Sequence, residues 1–270
     1  MTFLQAIILG IVQGLTEFIP VSSSGHLVLV PHLMGWEFSS SQAFIFDVLV
    51  QWGTLFAVFI YFRRDLIHII SAFSRALFAG KPFATADARM GWYLILATIP
   101  AVVVGLLCKD LIEAAFSNAK VTGFFLLITS VLLIFAEIVG KRKRSMEEIT
   151  WVDSLWIGCS QVLALLPGIS RSGATIAGGM TRNLDRSSAA RFSFLMSVPV
   201  MLGAGVLAFK DLFALPATDN FLLPLLAGFL AALVSGYVAI RWLIAYLSKH
   251  SLIVFAVYCL LLGLLVIFTG

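Results

Sequence analysis

Read from the N-terminus, the chain alternates long apolar runs with short polar interruptions. A helix crossing the hydrocarbon of a bilayer needs about 20 mostly apolar residues. Six runs approach that length with few charges: Phe44–Phe62, Trp92–Leu107, Val121–Val139, Phe192–Phe209, Leu222–Ile240 and Leu252–Phe268. Two further runs are apolar but broken in the middle. Phe3–Val30 carries Gln13, Glu17, Pro20, Ser22, Ser23, Ser24, Gly25 and His26, and Trp156–Met180 carries Gln161, Pro167, Gly168, Ser170, Arg171, Ser172 and Gly173. Such Pro/Gly/Ser runs interrupt helical hydrogen bonding, and a charge at the bilayer centre costs roughly 2.5–3.5 kcal/mol. Both are tolerated only where protein or a wet cavity covers them, so each broken run is predicted to enter the membrane and turn back.

The lysines and arginines test that reading. With the six clean runs spanning and Trp156–Met180 re-entrant, four segments share one side: Arg63–Arg89, Lys141–Arg144, Arg182–Arg191 and Arg241–Lys249. They hold 14 of the 18 Lys and Arg residues, with Lys109, Lys120 and Lys210 opposite. Were Trp156–Met180 to span, the split would fall to 10 against 7. The excess of positive charge on cytoplasmic loops favours the re-entrant arrangement. The two broken runs also match each other at an offset of 148: Gln13 falls on Gln161, Leu15 on Leu163, Ser22 on Ser170, Ser24 on Ser172 and Gly25 on Gly173. The register continues through Phe44 on Phe192, Phe46 on Phe194 and Val50 on Val198. Three spans separate the two hairpins, so the halves have opposite orientation. By analogy the N-terminal hairpin is re-entrant too, which puts both termini outside. The expected fold is an all-α polytopic integral membrane protein: six spanning helices plus two re-entrant helical hairpins in an inverted-topology repeat. It forms one membrane domain over residues 1–270, with halves of approximately 1–140 and 151–270 joined by a basic cytoplasmic loop at 141–150.

Composition narrows the class further. Hydrophobic residues make up 60 % of the chain and charged residues 12 %, against about 25 % charged in a soluble domain. The mean hydropathy is +1.03. A chain with half the usual charge cannot cover a globular surface, which excludes a secreted disulfide scaffold, a nucleic-acid binder and a disordered tail. The net charge of +4 fits cytoplasmic loops better than a nucleic-acid footprint. No Lys or Arg precedes Arg63, so a cleavable signal peptide is not expected. Cys108, Cys159 and Cys259 lack metal-ligand spacing and are expected to be buried as small hydrophobes. Gly53, Gly105 and Gly203 are expected to serve close helix packing, and the Lys141–Arg144 run to anchor topology. Asp47, Glu137 and Arg191 lie near span ends, where they can snorkel or cap.

The chemistry concentrates in the two broken runs. Gln13 and Glu17 are four apart and share a helical face. At membrane depth Glu17 must point at a cavity or a partner, and a carboxylate beside an amide oxygen can hold a hard cation such as Mg²⁺ or Ca²⁺. Ser22, Ser23, Ser24 and Gly25 form a hydroxyl-rich helix start of the kind that cradles phosphate, though the same run reads equally as a capped helix break. His26 adds a group that can serve as general acid, base or nucleophile, whereas His32, His68 and His250 lie near interfaces. Arg171 sits deep in the second run between Ser170, Ser172, Gly173 and Thr175, and its planar fork matches phosphate oxygens. An internal ion pair with Glu17 is the plainer reading, and both can hold in a resting state. Half-helix N-termini facing each other from opposite leaflets suit an anion, an architecture shared with secondary transporters. A lipid-phosphate carrier therefore stands beside an enzyme at this point. A carrier needs anion donors but has no need of His26 as nucleophile or proton shuttle.

Two segments, Gln13-Gly-Leu-Thr-Glu17-Phe-Ile-Pro-Val-Ser-Ser-Ser-Gly-His26 and Pro167-Gly-Ile-Ser-Arg-Ser-Gly-Ala-Thr175, closely resemble the signature segments of the bacterial undecaprenyl-diphosphate phosphatases, the bacitracin-resistance family. The run Arg191-Phe-Ser-Phe-Leu-Met-Ser-Val-Pro199 resembles a later segment of the same family. The resemblance implies an enzyme of the bacterial plasma (inner) membrane, assisted by a divalent cation (Mg²⁺ or Ca²⁺). It would convert the C55 polyprenyl diphosphate to the monophosphate and inorganic phosphate, recycling the carrier for wall polymers and conferring bacitracin resistance. It implies that Glu17, His26, Ser23 and Arg171 are catalytic and that Gln13 and Glu17 bind the metal. Ser22, Ser24, Gly25, Ser170, Ser172, Gly173 and Thr175 would hold the diphosphate. Position 13 is Gln where many members have Glu, leaving one motif carboxylate. The implied partners are the polyprenyl diphosphate and membrane lipids, with a homodimer allowed and nucleic acid excluded. The site is expected to open toward the periplasmic face.

Overall fold

A computed structural model describes residues 1–115, 119–212 and 222–269. Among them are twelve α-helices: α1 (Phe3–Phe18), α2 (Ser23–Met34), α3 (Ser40–Tyr61), α4 (Arg63–Phe78), α5 (Ala86–Leu107), α6 (Lys109–Ala115), α7 (Ala119–Val139), α8 (Trp151–Leu163), α9 (Arg171–Thr181), α10 (Arg186–Leu212), α11 (Leu222–Leu247) and α12 (Ile253–Thr269). Five of them, α3, α5, α7, α10 and α11, contain stretches long and apolar enough to cross a membrane. The 17 residues of α12 rise about 25 Å, at the short end of a spanning helix. Leu107, Ile138 and Phe268 are 79 %, 76 % and 83 % exposed, as side chains solvated by lipid are. The chain is a polytopic membrane protein. All six clean runs are helical, but α5 begins at Ala86 rather than Trp92, α10 begins at Arg186 rather than Phe192, and α11 continues past Ile240 to Leu247. The polar ends extend each helix beyond the apolar run used to recognise it.

The broken runs fold as pairs of short helices. The 16 residues of α1 and 12 of α2, like the 13 of α8 and 11 of α9, rise about 24, 18, 20 and 17 Å respectively. Each falls short of the roughly 30 Å hydrocarbon thickness. The first helix of each hairpin lies against a spanning helix from the other half of the chain, α1 on α11 and α8 on α5. Glycine makes both approaches close. A Cβ on Gly10 would stand 2.3 Å from the Gly228 carbonyl oxygen, and one on Gly158 would stand 2.4 Å from that of Ala97. Gly10 and Gly158 are themselves 148 apart. Gly53 also meets backbone, at 2.5 Å from the Phe229 carbonyl oxygen. Gly203, by contrast, faces open space, and Gly105 makes only ordinary contact with Leu165; small residues permit close packing without requiring it.

Three further features differ from the sequence reading. Arg63–Phe78, which the sequence reading uses only for its charges, is an amphipathic helix with Leu66, Ile69 and Ala76 buried and Arg63, Arg64 and Arg75 exposed. Counting its charges as loop charges masked the three-to-four spacing of its apolar positions. Of the cysteines only Cys259 is buried; Cys108 is half-buried and Cys159 is exposed. Cys159 faces an apolar groove of about 290 Å³ between α7, α8 and α9, because in lipid an apolar residue gains as much facing outward as inward.

The Lys141–Arg144 run does more than mark topology. The Arg144 guanidinium donates to both carboxylate oxygens of Asp153, at 3.1 and 2.6 Å, and Arg182 Nε donates to Oδ1 at 2.7 Å. The Thr150 backbone N–H and hydroxyl donate to Oδ2 at 2.9 and 2.8 Å. Burial works to raise the Asp153 pKa, but these donors from Arg144, Arg182 and Thr150 outweigh it and hold the carboxyl below the usual range. The same hydrogen bond raises the pKa of Arg144. The cluster ties the outer ends of α8 and α9 together. Glu137 does the same for three helices, accepting from Arg142 at 2.6 Å, from Arg186 at 2.8 and 2.6 Å, and from the Leu252 N–H at 2.8 Å.

Candidate active site

The two hairpin turns are built alike. After α1, Pro20 lacks the N–H that would continue the helix, and Ser22 turns the chain at φ 73°, in the left-handed region that favours glycine. Holding a non-glycine residue there costs about 1–3 kcal/mol and marks functional segments more often than ordinary loops. The Ser22 hydroxyl then caps α2, accepting from the Gly25 N–H at 3.3 Å. After α8, Gly168 supplies φ 96°, and a Cβ there would stand 2.3 Å from the Thr122 carbonyl oxygen. The Ser170 hydroxyl caps α9 by accepting from the Gly173 N–H at 3.0 Å. Ser22 with Ser24, and Ser170 with Ser172, pair through their hydroxyls at 3.3 and 3.1 Å. Thr129 on α7 fixes the second turn, donating to the Gly168 carbonyl at 2.9 Å and accepting from the Ser170 N–H at 3.0 Å. The turns touch: Ser172 Oγ lies 3.5 Å from the Ile19 carbonyl oxygen, and a Cβ on Gly25 would stand 3.7 Å from Gly168 Cα. Two helix N-termini, each a source of unpaired N–H groups and partial positive charge, thus begin beside each other.

Glu17, only 8 % exposed, joins the turns. Its Oε2 accepts from Gln13 Nε2 at 3.0 Å and from the Ser23 hydroxyl at 2.6 Å. Its Oε1 accepts from Arg171 Nη2 at 2.9 Å and Nε at 3.3 Å. The internal ion pair is therefore real, and it brings the first hairpin's carboxylate to the second hairpin's guanidinium. Such a pair, largely removed from water, stays stable only when the remaining lone pairs are satisfied, which Gln13 and Ser23 accomplish. Arg171 also reaches the Ser193 carbonyl at 3.5 Å, and Thr175 is linked to the Ser193 hydroxyl at 2.6 Å. The second hairpin has no counterpart of Glu17: Leu165 occupies the matching position, and the buried Gln161 amide has no hydrogen-bond partner.

His26 is buried, with both ring nitrogens engaged. Nδ1 stands 2.7 Å from the Ser22 carbonyl oxygen, and Nε2 stands 2.7 Å from the Tyr258 hydroxyl of α12. A carbonyl can only accept, so Nδ1 carries a proton; in the neutral ring Nε2 is then the acceptor and the phenol O–H donates to it. Neither Tyr258 nor Ser193 was singled out from sequence. A signal for Tyr258 existed: it is the one phenol in the otherwise apolar run of α12.

Gln13 and Glu17 provide hard oxygen donors of the kind Mg²⁺ and Ca²⁺ take. Among the described residues no cluster of three or more His, Cys, Asp or Glu side chains exists. A divalent cation held here would draw only a minority of its ligands from protein side chains, as Mg²⁺ commonly does.

Against known proteins, residues 6–265 match the family model described as bacitracin resistance protein BacA. The chain belongs to the BacA family. Three of its relatives show how evenly the likeness runs. The undecaprenyl-diphosphatase of Chlorobium phaeovibrioides is 43 % identical over 275 residues, covering 99 % of this chain and 96 % of that one. That of Myxococcus xanthus is 39 % identical, covering 99 % and 89 %. Undecaprenyl-diphosphatase 1 of Corynebacterium jeikeium is 44 % identical, covering 98 % and 94 %. The BacA match runs from within α1 to within α12, so the paired turns and the Glu17–Arg171 contact lie wholly within it.

Proposed function

We infer that this BacA protein is an undecaprenyl-diphosphatase. It hydrolyses undecaprenyl diphosphate to undecaprenyl phosphate and inorganic phosphate, which recycles the lipid carrier for wall polymers and underlies bacitracin resistance. The observation that carries the site assignment is the convergence of Glu17 and Arg171 between two facing helix N-termini. Phosphoryl transfer asks a protein mainly for positioning and charge neutralisation. Arg171 and the N–H groups opening α2 and α9 would receive the phosphate oxygens, with Ser22, Ser24, Gly25, Ser170, Ser172, Gly173 and Thr175 shaping the cradle. When the diphosphate arrives, Arg171 transfers its donors from Glu17 to phosphate, which frees Glu17 to act as base. The Ser23 hydroxyl already donates to that carboxylate at 2.6 Å, the arrangement of a nucleophile beside its base. As Ser23 Oγ attacks the terminal phosphorus, Glu17 takes the hydroxyl proton, the bridging P–O bond breaks and undecaprenyl phosphate leaves; water then cleaves the phosphoserine and releases phosphate. Gln13 and Glu17 would hold the divalent cation, which neutralises charge on the diphosphate oxygens.

The lysine and arginine bias puts the loops between α3 and α5, α7 and α8, α9 and α10, and α11 and α12 on the cytoplasmic side of the plasma membrane. On that reading both termini would be outside and the halves would form an inverted repeat, and the site is taken to open toward the periplasmic face. The test is phosphate release from undecaprenyl or farnesyl diphosphate by purified protein in detergent, with Mg²⁺ or Ca²⁺ and again in EDTA. A His26→Ala protein that binds the lipid but releases no phosphate separates the enzyme from a carrier. Well-folded wild-type protein that binds without turnover would overturn the reading.

A further inference from the structure

His26 is 8 % exposed while Tyr258, its partner on α12, is 44 % exposed. The imidazole's single lone pair, on Nε2, is covered by the phenol O–H at 2.7 Å. The other nitrogen is committed to the Ser22 carbonyl. In this arrangement no water or phosphate can reach a basic atom of His26 directly, whereas the phenol oxygen keeps lone pairs of its own and Tyr258 is the more exposed of the two residues. The contact is built rather than incidental. The two rings lie parallel within 9°, with centroids 5.7 Å apart. The neighbouring Cys259 thiol points at the Pro20 carbonyl at 3.7 Å, which sets this turn of α12 against the first hairpin loop. We propose that Tyr258 is a catalytic residue, relaying a proton from the hydrolytic water to His26.

The relay rests on the undecaprenyl-diphosphatase reading and acts in its second half. As water attacks the phosphorus held on Ser23, its O–H bond breaks and the proton passes to the Tyr258 oxygen. The phenol's own proton passes to Nε2, leaving Tyr258 neutral and His26 as imidazolium. The new P–O bond to water forms, the P–Oγ bond to Ser23 breaks, and Glu17 returns to Ser23 the proton it took in the first half. His26 then passes its extra proton back through the phenol to the departing phosphate. The protons thus move through two contacts already present, Ser23 with Glu17 and His26 with Tyr258, which the attacking water joins.

The decisive experiment is steady-state and single-turnover kinetics of Tyr258→Phe with farnesyl diphosphate labelled in the terminal phosphate, beside thermal unfolding. Phe keeps the ring and removes only the relay. The expected result is kcat lower by ~10²-fold, the usual worth of a positioned acid–base group. KM should fall in step, so that kcat/KM and Tm hold, and about one equivalent of label should be trapped on the protein. A purely structural role cannot leave kcat/KM intact while stalling the second half. Wild-type kcat in Tyr258→Phe, or slow turnover with no trapped label, would overturn the relay alone. Absence of wild-type turnover would bring down the functional reading and the relay with it. Should Tyr258→Phe unfold, a fluorotyrosine placed at position 258 changes the phenol's acidity while keeping its packing. A several-fold change in kcat supports the relay, and an unchanged kcat refutes it.

Discussion

Replacing Glu17 with Gln should push substrate binding and turnover in opposite directions. Arg171 donates to Glu17 at 2.9 and 3.3 Å, and the two side chains are only 14 % and 9 % exposed. A diphosphate must therefore draw the guanidinium away from a desolvated carboxylate before it can use it. Hydrogen bonds with a charged partner are worth about 1.5–3 kcal/mol, roughly twice a neutral one. The amide of Glu17→Gln keeps the geometry but releases Arg171 at a cost lower by about 1–2 kcal/mol, or roughly five- to thirty-fold in affinity. Turnover loses its base and should fall by ~10²–10⁴-fold. The assay is equilibrium binding of a non-hydrolysable farnesyl methylenediphosphonate in EDTA, which isolates Arg171 from any metal, alongside phosphate release in Mg²⁺ or Ca²⁺. Weaker metal-free binding by Glu17→Gln would show that Arg171 is not held in reserve by Glu17. Wild-type turnover would show that Glu17 is no base.

Other consequences concern stability. Asp153→Asn removes the acceptor of five hydrogen bonds joining Arg144, Arg182 and Thr150, and should lower unfolding stability by about 2–4 kcal/mol in detergent. Because the folded Asp153 pKa lies below its reference of 3.8, its contribution is present above about pH 4 and fades as pH falls further. Wild-type Tm should thus drop more steeply than that of Asp153→Asn as pH falls below about 4; parallel curves would contradict the cluster's role. Gly158→Ala forces a Cβ to within 2.4 Å of the Ala97 carbonyl oxygen, so α8 must lift from α5 at about 1–3 kcal/mol. Gly203→Ala, facing open space, should be neutral or stabilising by up to about 1 kcal/mol, and the pair of Tm values checks both.

What the sequence made legible follows from how strongly the bilayer constrains it. Lipid leaves unpaired backbone groups nowhere to go, so apolar run lengths located the six long helices, and the Pro/Ser/Gly breaks located both hairpins. Intramembrane charge is costly enough that Glu17 and Arg171 stood out as the polar centre. Boundaries were harder to place, because helix ends such as Ala86 and Arg186 lie beyond the apolar run. The α4 helix was hidden because basic residues were read for topology instead of spacing. The contacts of His26 with Tyr258 and of Thr175 with Ser193 join elements 232 and 18 residues apart. No local periodicity encodes such meetings; they arise when α12 and α10 pack beside the turns. Cys159 shows the converse limit, since hydrophobicity alone does not tell core from lipid.

The central claim is that residues from the two hairpins act as one site, and a double-mutant cycle on phosphate release tests it most directly. Glu17→Ala, Arg171→Ala and the double variant would be assayed on farnesyl diphosphate with Mg²⁺ or Ca²⁺, with thermal unfolding confirming that each is folded. Groups that act as a unit are strongly non-additive, so the double variant should be scarcely slower than either single one. Losses that multiply, or a single variant that keeps wild-type turnover, would separate the hairpins and contradict the account.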